Sequence, residues 1–235
     1  MASRYVLDVE DVPETIARHT GPRGEVVLRR RGSGDDAVDE LIVNGAFAMD
    51  SAETGSEQAL AALAWPGATV LVGGLGLGFT VTALLDGRVR SVDVVEIEDA
   101  LVEWAYEGAT AQLGHVARDP RVRLWVGDVR AALTEPGSRA QPTGPWDAIL
   151  LDVDNGPDFL IHADNAALYG SAALRSAYGR LEPGGVLAIW CQGAHAGLWA
   201  ELRALSPTAR EERHVVRRGR HRIAYVIYSV RLPHL

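Results

Sequence analysis

Four carboxylates stand where apolar runs end. Glu96 closes SVDVVE, Asp128 follows VRLWV, and Asp152 and Asp154 end AILLDVD. A glycine-rich turn, VGGLGLG over 72–78, follows another apolar run and supplies Gly73, Gly74, Gly76 and Gly78. Glycines let the backbone turn tightly and come close to a ligand. The helix that starts after them offers unpaired N–H groups. Glu96 lies 20 residues beyond Gly76 at a strand end, where a carboxylate can accept from both hydroxyls of a ribose. A tight strand–helix turn and a solvated acid would give the same pattern, because a lone glycine motif is a weak signal. The spacing is G-x-G-x-G at 74, 76 and 78; a dinucleotide fingerprint needs Gly or Ala at 79, and Phe79 stands there. NAD is therefore demoted in favour of a nucleoside without phosphates. Asp128 has two readings, an N-cap for the next helix and an acceptor for an adenine amino group, and one residue can serve both. Asp152 and Asp154, two apart on an extended segment, point the same way, although Asp154-Asn-Gly-Pro157 also has turn chemistry.

These residues need a sheet to position them. Apolar runs at 69–73, 91–97, 122–126, 147–153 and 185–191 read as strands. Helical patterns sit between them at 79–86, 98–112, 129–134 and 165–181, with Gly114 closing the second. Leu181-Glu-Pro-Gly-Gly185 reads as a stop and turn before the fifth strand. Strand–helix alternation argues for a parallel sheet covered on both faces. Runs 212–217 and 222–230 have so short a link that they must pair antiparallel. Five parallel strands finished by an antiparallel hairpin resemble the Rossmann-like sheet of class I methyltransferases. Ahead of it, 25–31 and 40–47 read as strands around the turn at 32–36, and Asn44-Gly45 is a second turn signal. The expected division is an N-terminal β-hairpin unit over 1–55 and an α/β nucleoside-binding domain over 56–235. The latter is led by a helix at 56–64 that Trp65-Pro66-Gly67 stops.

The bulk numbers exclude several classes. Net charge is −8, which gives no attraction for a phosphate backbone, so no nucleic acid partner is expected. No run approaches a membrane span, and the opening MASRYVLDVEDVPE has no signal-peptide pattern; a cytoplasmic protein is expected. All 23 basic residues are arginines. That rules out Schiff-base chemistry, a lysine base and a Walker-type lysine. Cys191 is the lone cysteine and cannot make an internal disulfide or a cysteine-rich metal site. His162, His195 and His221 have no metal-like spacing, so surface or loop roles are expected and no metal. Trp190 is expected to pack in the core or to line an acceptor pocket.

The ordered set GGLGLG, VEIE, GDV, LDVDNGP and LEPGGVLAIW resembles the spermidine synthase (polyamine aminopropyltransferase) family, over roughly residues 25 to 230. The resemblance implies an adenosyl sulfonium donor, S-adenosylmethionine or its decarboxylated form, and a small-molecule acceptor. It implies that Glu96 holds the ribose diol, Asp128 the adenine amine, and that Ile97 packs on the ring. It places Gln58 near the ribose or sulfonium, Asp152 on the acceptor amine, and 154–165 in a loop over the site. It also implies dimer or tetramer contacts for the N-terminal unit, so a homodimer fits. Four features depart from the family. Gly76 replaces an aspartate that grips the donor's amino group, and Glu57 replaces a tyrosine before Gln58. Asp154 stands one place off the second aspartate of the strand-four motif. Arg217, Arg218 and Arg220 occupy a region where the family carries a tyrosine, and there they would repel a diamine if they faced the site. Loss of the donor-amine aspartate and of the acceptor tyrosine tilts the expectation slightly toward methyl transfer over aminopropyl transfer. A non-catalytic adenosyl-binding protein and an NAD-binding module are the readings from other classes.

Overall fold

In a computed structural model of the chain, residues 13–135, 141–218 and 221–234 are described. The alternation predicted from residue 69 onward is present. The central sheet is built from β5 (Thr69–Gly73), β6 (Ser91–Glu96), β7 (Val122–Val126), β8 (Trp146–Leu151) and β9 (Leu181–Cys191), followed by β10 (Arg210–Arg218) and β11 (His221–Arg231). Its order is β10-β11-β9-β8-β5-β6-β7. β5 through β9 pair in parallel, and β11 lies antiparallel between β9 and β10. This is the class I methyltransferase-like arrangement. The strands are apolar on both sides because both faces are covered. Period two sorts them: Val70 and Val72, Ala148 and Leu150, and Val186 and Ala188 enter one core. Leu71, Ile149, Leu151, Leu187 and Ile189 enter the other.

The helices are α1 (Gly55–Ala61), α2 (Phe79–Asp86), α3 (Asp99–Glu107), α4 (Ala111–Arg118), α5 (Val129–Thr134), α6 (Ser171–Tyr178) and α7 (Ala196–Leu205). The helix expected over 98–112 is two helices. Gly108, left-handed at φ 72°, ends α3, and the Thr110 hydroxyl then caps α4 by accepting from the N–H of Leu113. Gly114 is therefore inside α4 and closes nothing. The helix expected over 165–181 is a 3-10 turn, Ala163–Tyr169, and then α6. The segment at 181–185 belongs to β9 itself: Trp146 pairs with Leu181 and Ala148 with Val186, so the intervening residues form an irregularity at the strand's start. α7 had no signal in the sequence reading.

The N-terminal unit is larger than a hairpin. β1 (Glu14–Gly21), β2 (Gly24–Arg31), β3 (Val38–Val43) and β4 (Ala46–Asp50) form a four-stranded antiparallel sheet in chain order. The predicted run 40–47 is two strands, because Asn44 and Gly45, both at positive φ, turn the chain back. Val26, Leu28, Leu41 and Val43 share one hydrophobic cluster with residues of the central sheet. The small sheet therefore packs into the same core.

Candidate functional site

β5 and β8 are neighbours, yet the chain leaves β5 toward β6 on its other side, so strand order reverses between β5 and β8. Ligands of open α/β sheets bind at such a point, beyond the strands' carboxyl ends. The glycine turn follows β5 there, and Asp152 follows β8. Gly74 has φ 91°, and a Cβ on it would collide with the carbonyl oxygen of Asp152. Only glycine lets these two strand ends close on each other. A cleft of about 910 Å³, counted to its open mouth, lies above them.

Of the predicted residues, Gly74, Gly76, Glu96, Ile97, Asp128, Asp152, Asp154 and Glu57 line this cleft. Glu96 is buried, and one carboxylate oxygen accepts from the N–H of Leu75 at 2.7 Å while the other accepts from that of Glu98 at 2.8 Å. Burial pushes its carboxyl up, while these N–H groups pull it back down. The N–H of Gly76 acts in the same direction, and the carboxylate keeps capacity for a further donor. Asp128 caps α5, accepting from the N–H of Arg130 at 2.8 Å, and still faces the cleft, so both readings of it are compatible. Asp152 accepts from the Thr80 hydroxyl at 2.6 Å. Burial first, and the charge of Glu57 second, push its carboxyl up to about 7.

Other placements differ from expectation. Gln58 is exposed and donates to the Thr54 hydroxyl at 3.1 Å, away from the cleft. Neighbouring positions on a helix point about 100° apart, and α1 turns Glu57 inward instead, where it accepts from the Ser56 hydroxyl at 2.6 Å. Gly73 and Gly78 shape the turn without lining the cleft: Cβ atoms there would press on Val129 and Val116 respectively, at 3.1 Å. Asp154, at φ 49°, spends one oxygen on the N–H groups of Ile161 and His162 at 2.9 and 3.3 Å, which folds the 154–162 loop back on itself. Arg220 lies outside the described residues, and so do the side chains of Arg217 and Arg218.

Three further features complete the cleft, and of these the sequence leaves Trp190 open between core and pocket. His162 sits in the loop, as expected, and also lines the cleft: its Nε2 lies 3.1 Å from a carboxylate oxygen of buried Glu98, which also meets Arg23 at 3.3 Å. Trp190 both packs on Tyr225, ring centroids 4.9 Å apart, and lines the cleft. Ala48 and Met49 of β4, with Leu41 and Val43 of β3, form an apolar wall opposite the acids. The run 40–47 reads as a strand, but nothing local says which cavity it faces. The cleft thus has an apolar wall and carries Glu57, Glu96, Glu98, Asp128, Asp152 and Asp154. Among its described lining residues the only ionisable base is His162, already held by Glu98. No group of three or more His, Cys, Asp or Glu among the described residues could hold a metal ion.

No family model matches the chain, and no curated protein matches it. Solved structures do. A spermidine synthase in complex with the transition-state analogue AdoDATO superposes with a TM-score of 0.70 at 17% identity, covering 92% of this chain and 73% of that one. The spermidine synthase of Thermotoga maritima gives a TM-score of 0.69 at 16% identity, over 92% and 72%. The fold is therefore spermidine synthase-like.

Proposed function

We propose that the chain is a transferase that takes a decarboxylated adenosyl sulfonium as donor and a cationic amine as acceptor, moving an aminopropyl group. The observation that carries this is the charge of the cleft: six carboxylates and no guanidinium line it among its described residues, and although Arg23 meets Glu98 and Arg130 meets Asp128 from outside the lining, Asp152 and Asp154 have no ion-pair partner among the described residues. A methionine carboxylate would enter such a site unpaired, at a cost of several kcal/mol. A donor tail and an acceptor that end in ammonium groups find partners instead. The likeness in fold to spermidine synthases supports the same reading. The tilt toward methyl transfer drawn from Gly76 is not supported by the cleft's charge.

In this reading Glu96 binds the ribose hydroxyls with its remaining lone pairs, Asp128 accepts from the adenine amine, and Ile97 packs on the ring. The sulfonium is already activated, so catalysis is chiefly alignment for in-line displacement. An amine acceptor arrives protonated and must lose that proton before its lone pair can attack. Asp152 takes it. The new N–C bond then forms as the C–S bond breaks, and the sulfur leaves as a neutral thioether. Glu57, beside Asp152, holds the acceptor's positive charge. Calorimetry with the two donors, followed by a diamine panel assayed for thioether release, tests the reading. Preference for the decarboxylated donor with 5′-methylthioadenosine as product is expected; preference for S-adenosylmethionine with methylated product sinks it.

A further inference from the structure

One end of the cleft is closed from the opposite sheet. β4 meets β3 with an irregular register: Leu41 pairs with Met49 and Ile42 with Phe47, which leaves Ala48 as the extra residue. A regular strand turns neighbours to opposite faces. The bulge brings Ala48 and Met49 to the same wall of the cleft. Met49 then reaches the glycine turn. Its Sδ accepts from the N–H of Leu77 at 3.3 Å and lies 2.6 Å from where a Cβ on Gly76 would stand. The thioether therefore fills the space above Gly76. It also occupies a backbone donor that an anionic group lodged at the glycine turn would need.

We propose that Met49 sets donor specificity by excluding the carboxylate of a full methionine tail from the glycine-turn end of the cleft. The inference rests on the adenosyl-donor reading above. A tail carboxylate meets an apolar sulfur and a spent N–H in place of a hydrogen-bond donor, with Asp152 close behind: its carbonyl oxygen is what a Cβ on Gly74 would strike. A tail without the carboxylate loses nothing to the same contacts.

Calorimetry on the full chain with 5′-methylthioadenosine and S-adenosylhomocysteine tests it, since both carry the nucleoside and only the second carries the amino-acid tail. The wild type is expected to bind S-adenosylhomocysteine about tenfold or more weaker than 5′-methylthioadenosine. Met49→Ala is expected to narrow that ratio about tenfold while leaving 5′-methylthioadenosine within about threefold. Met49→Thr, whose residue type suits a strand, provides a second variant should the alanine chain fail to fold. An unchanged ratio in the folded variants overturns the role of Met49, as does an equal loss of both ligands. Equal binding of the two ligands by the wild type overturns Met49 alone and leaves the nucleoside reading standing. Binding of neither removes both.

Discussion

In the proposed reaction Asp152 takes the acceptor's proton, and its environment gives it two measurable signatures. Its folded carboxyl sits at about 7, against an ordinary value of 3.8, because it is buried and faces Glu57. Between those two pH values the folded state keeps a proton that the unfolded state has lost. The stability that depends on this proton is therefore complete below about pH 4 and disappears as pH rises through about 7. Asp152→Asn, which cannot ionise, is expected to unfold like the wild type near pH 4. At about pH 8 it should be more stable by on the order of 1 kcal/mol, the pocket's water screening part of the burial cost. Urea titrations at the two pH values measure this. In the same variant turnover should fall about 100-fold or more, and the rise of wild-type rate through pH 7 should vanish. A purely structural Asp152 would lose stability and activity together. Glu96 makes a contrasting case. Both its oxygens accept backbone N–H groups, so in Glu96→Gln the amide NH₂ must face one of them. Nucleoside affinity is expected to drop about tenfold or more, with a lowered melting temperature; binding within twofold of the wild type contradicts the ribose role. Glu96, Asp128 and Asp152 were legible in the sequence because an acid just after an apolar run has its place set by that strand. Glu57 was legible only as the residue beside Gln58, and the cleft-facing side of His162 was not legible at all, because their orientation depends on helix rotation and on a loop's fold across the molecule.

The elements themselves were readable wherever a local device ends them. β5 to β8 stop close to their predicted bounds because each apolar run ends in glycine or an acid. The split between α3 and α4 was missed although its signals, Gly108 and Thr110, are both local: the apolar periodicity continues across them and conceals the break. The bulge in β4 had no sequence signal at all, since it is set by pairing with β3. The junction of β5 and β8 is the tightest of these constructions. Gly74 combines a positive φ with a backbone oxygen where its Cβ would be. Gly74→Ala forces both a left-handed alanine and a separation of the two strand ends. The expected loss is about 3 kcal/mol, read as a lower urea midpoint with unchanged slope, and nucleoside binding should weaken with it because the glycine turn that shifts carries the Leu75 N–H holding Glu96. An alanine variant within about 0.5 kcal/mol of the wild type would mean that the strand ends are not in fixed contact.

At the scale of the whole molecule, the two sheets divide the work of the cleft. The central sheet supplies the acids from its strand ends, and the small sheet supplies the apolar wall from β3 and β4. Their shared core explains why the small sheet cannot be treated as an appendage. The charge of the chain, −8 overall, has the same sign as the cleft. Field lines from a low-dielectric cleft lined with carboxylates extend outward and raise the local concentration of cations. A dicationic acceptor should feel this attraction twice over, whereas an uncharged nucleoside thioether should not feel it. Raising ionic strength from about 0.05 to about 0.5 M shortens the screening length from roughly 14 to roughly 4 Å. The KM for a diamine is then expected to rise several-fold while the Kd for 5′-methylthioadenosine stays within about twofold. The comparison controls itself, since a general effect of salt on the fold would move both. If instead the thioether weakens and the diamine does not, the acids of the cleft serve the nucleoside rather than the acceptor. The division of roles between Glu96 and Asp128 on one side and Asp152 and Glu57 on the other would then have to be reversed.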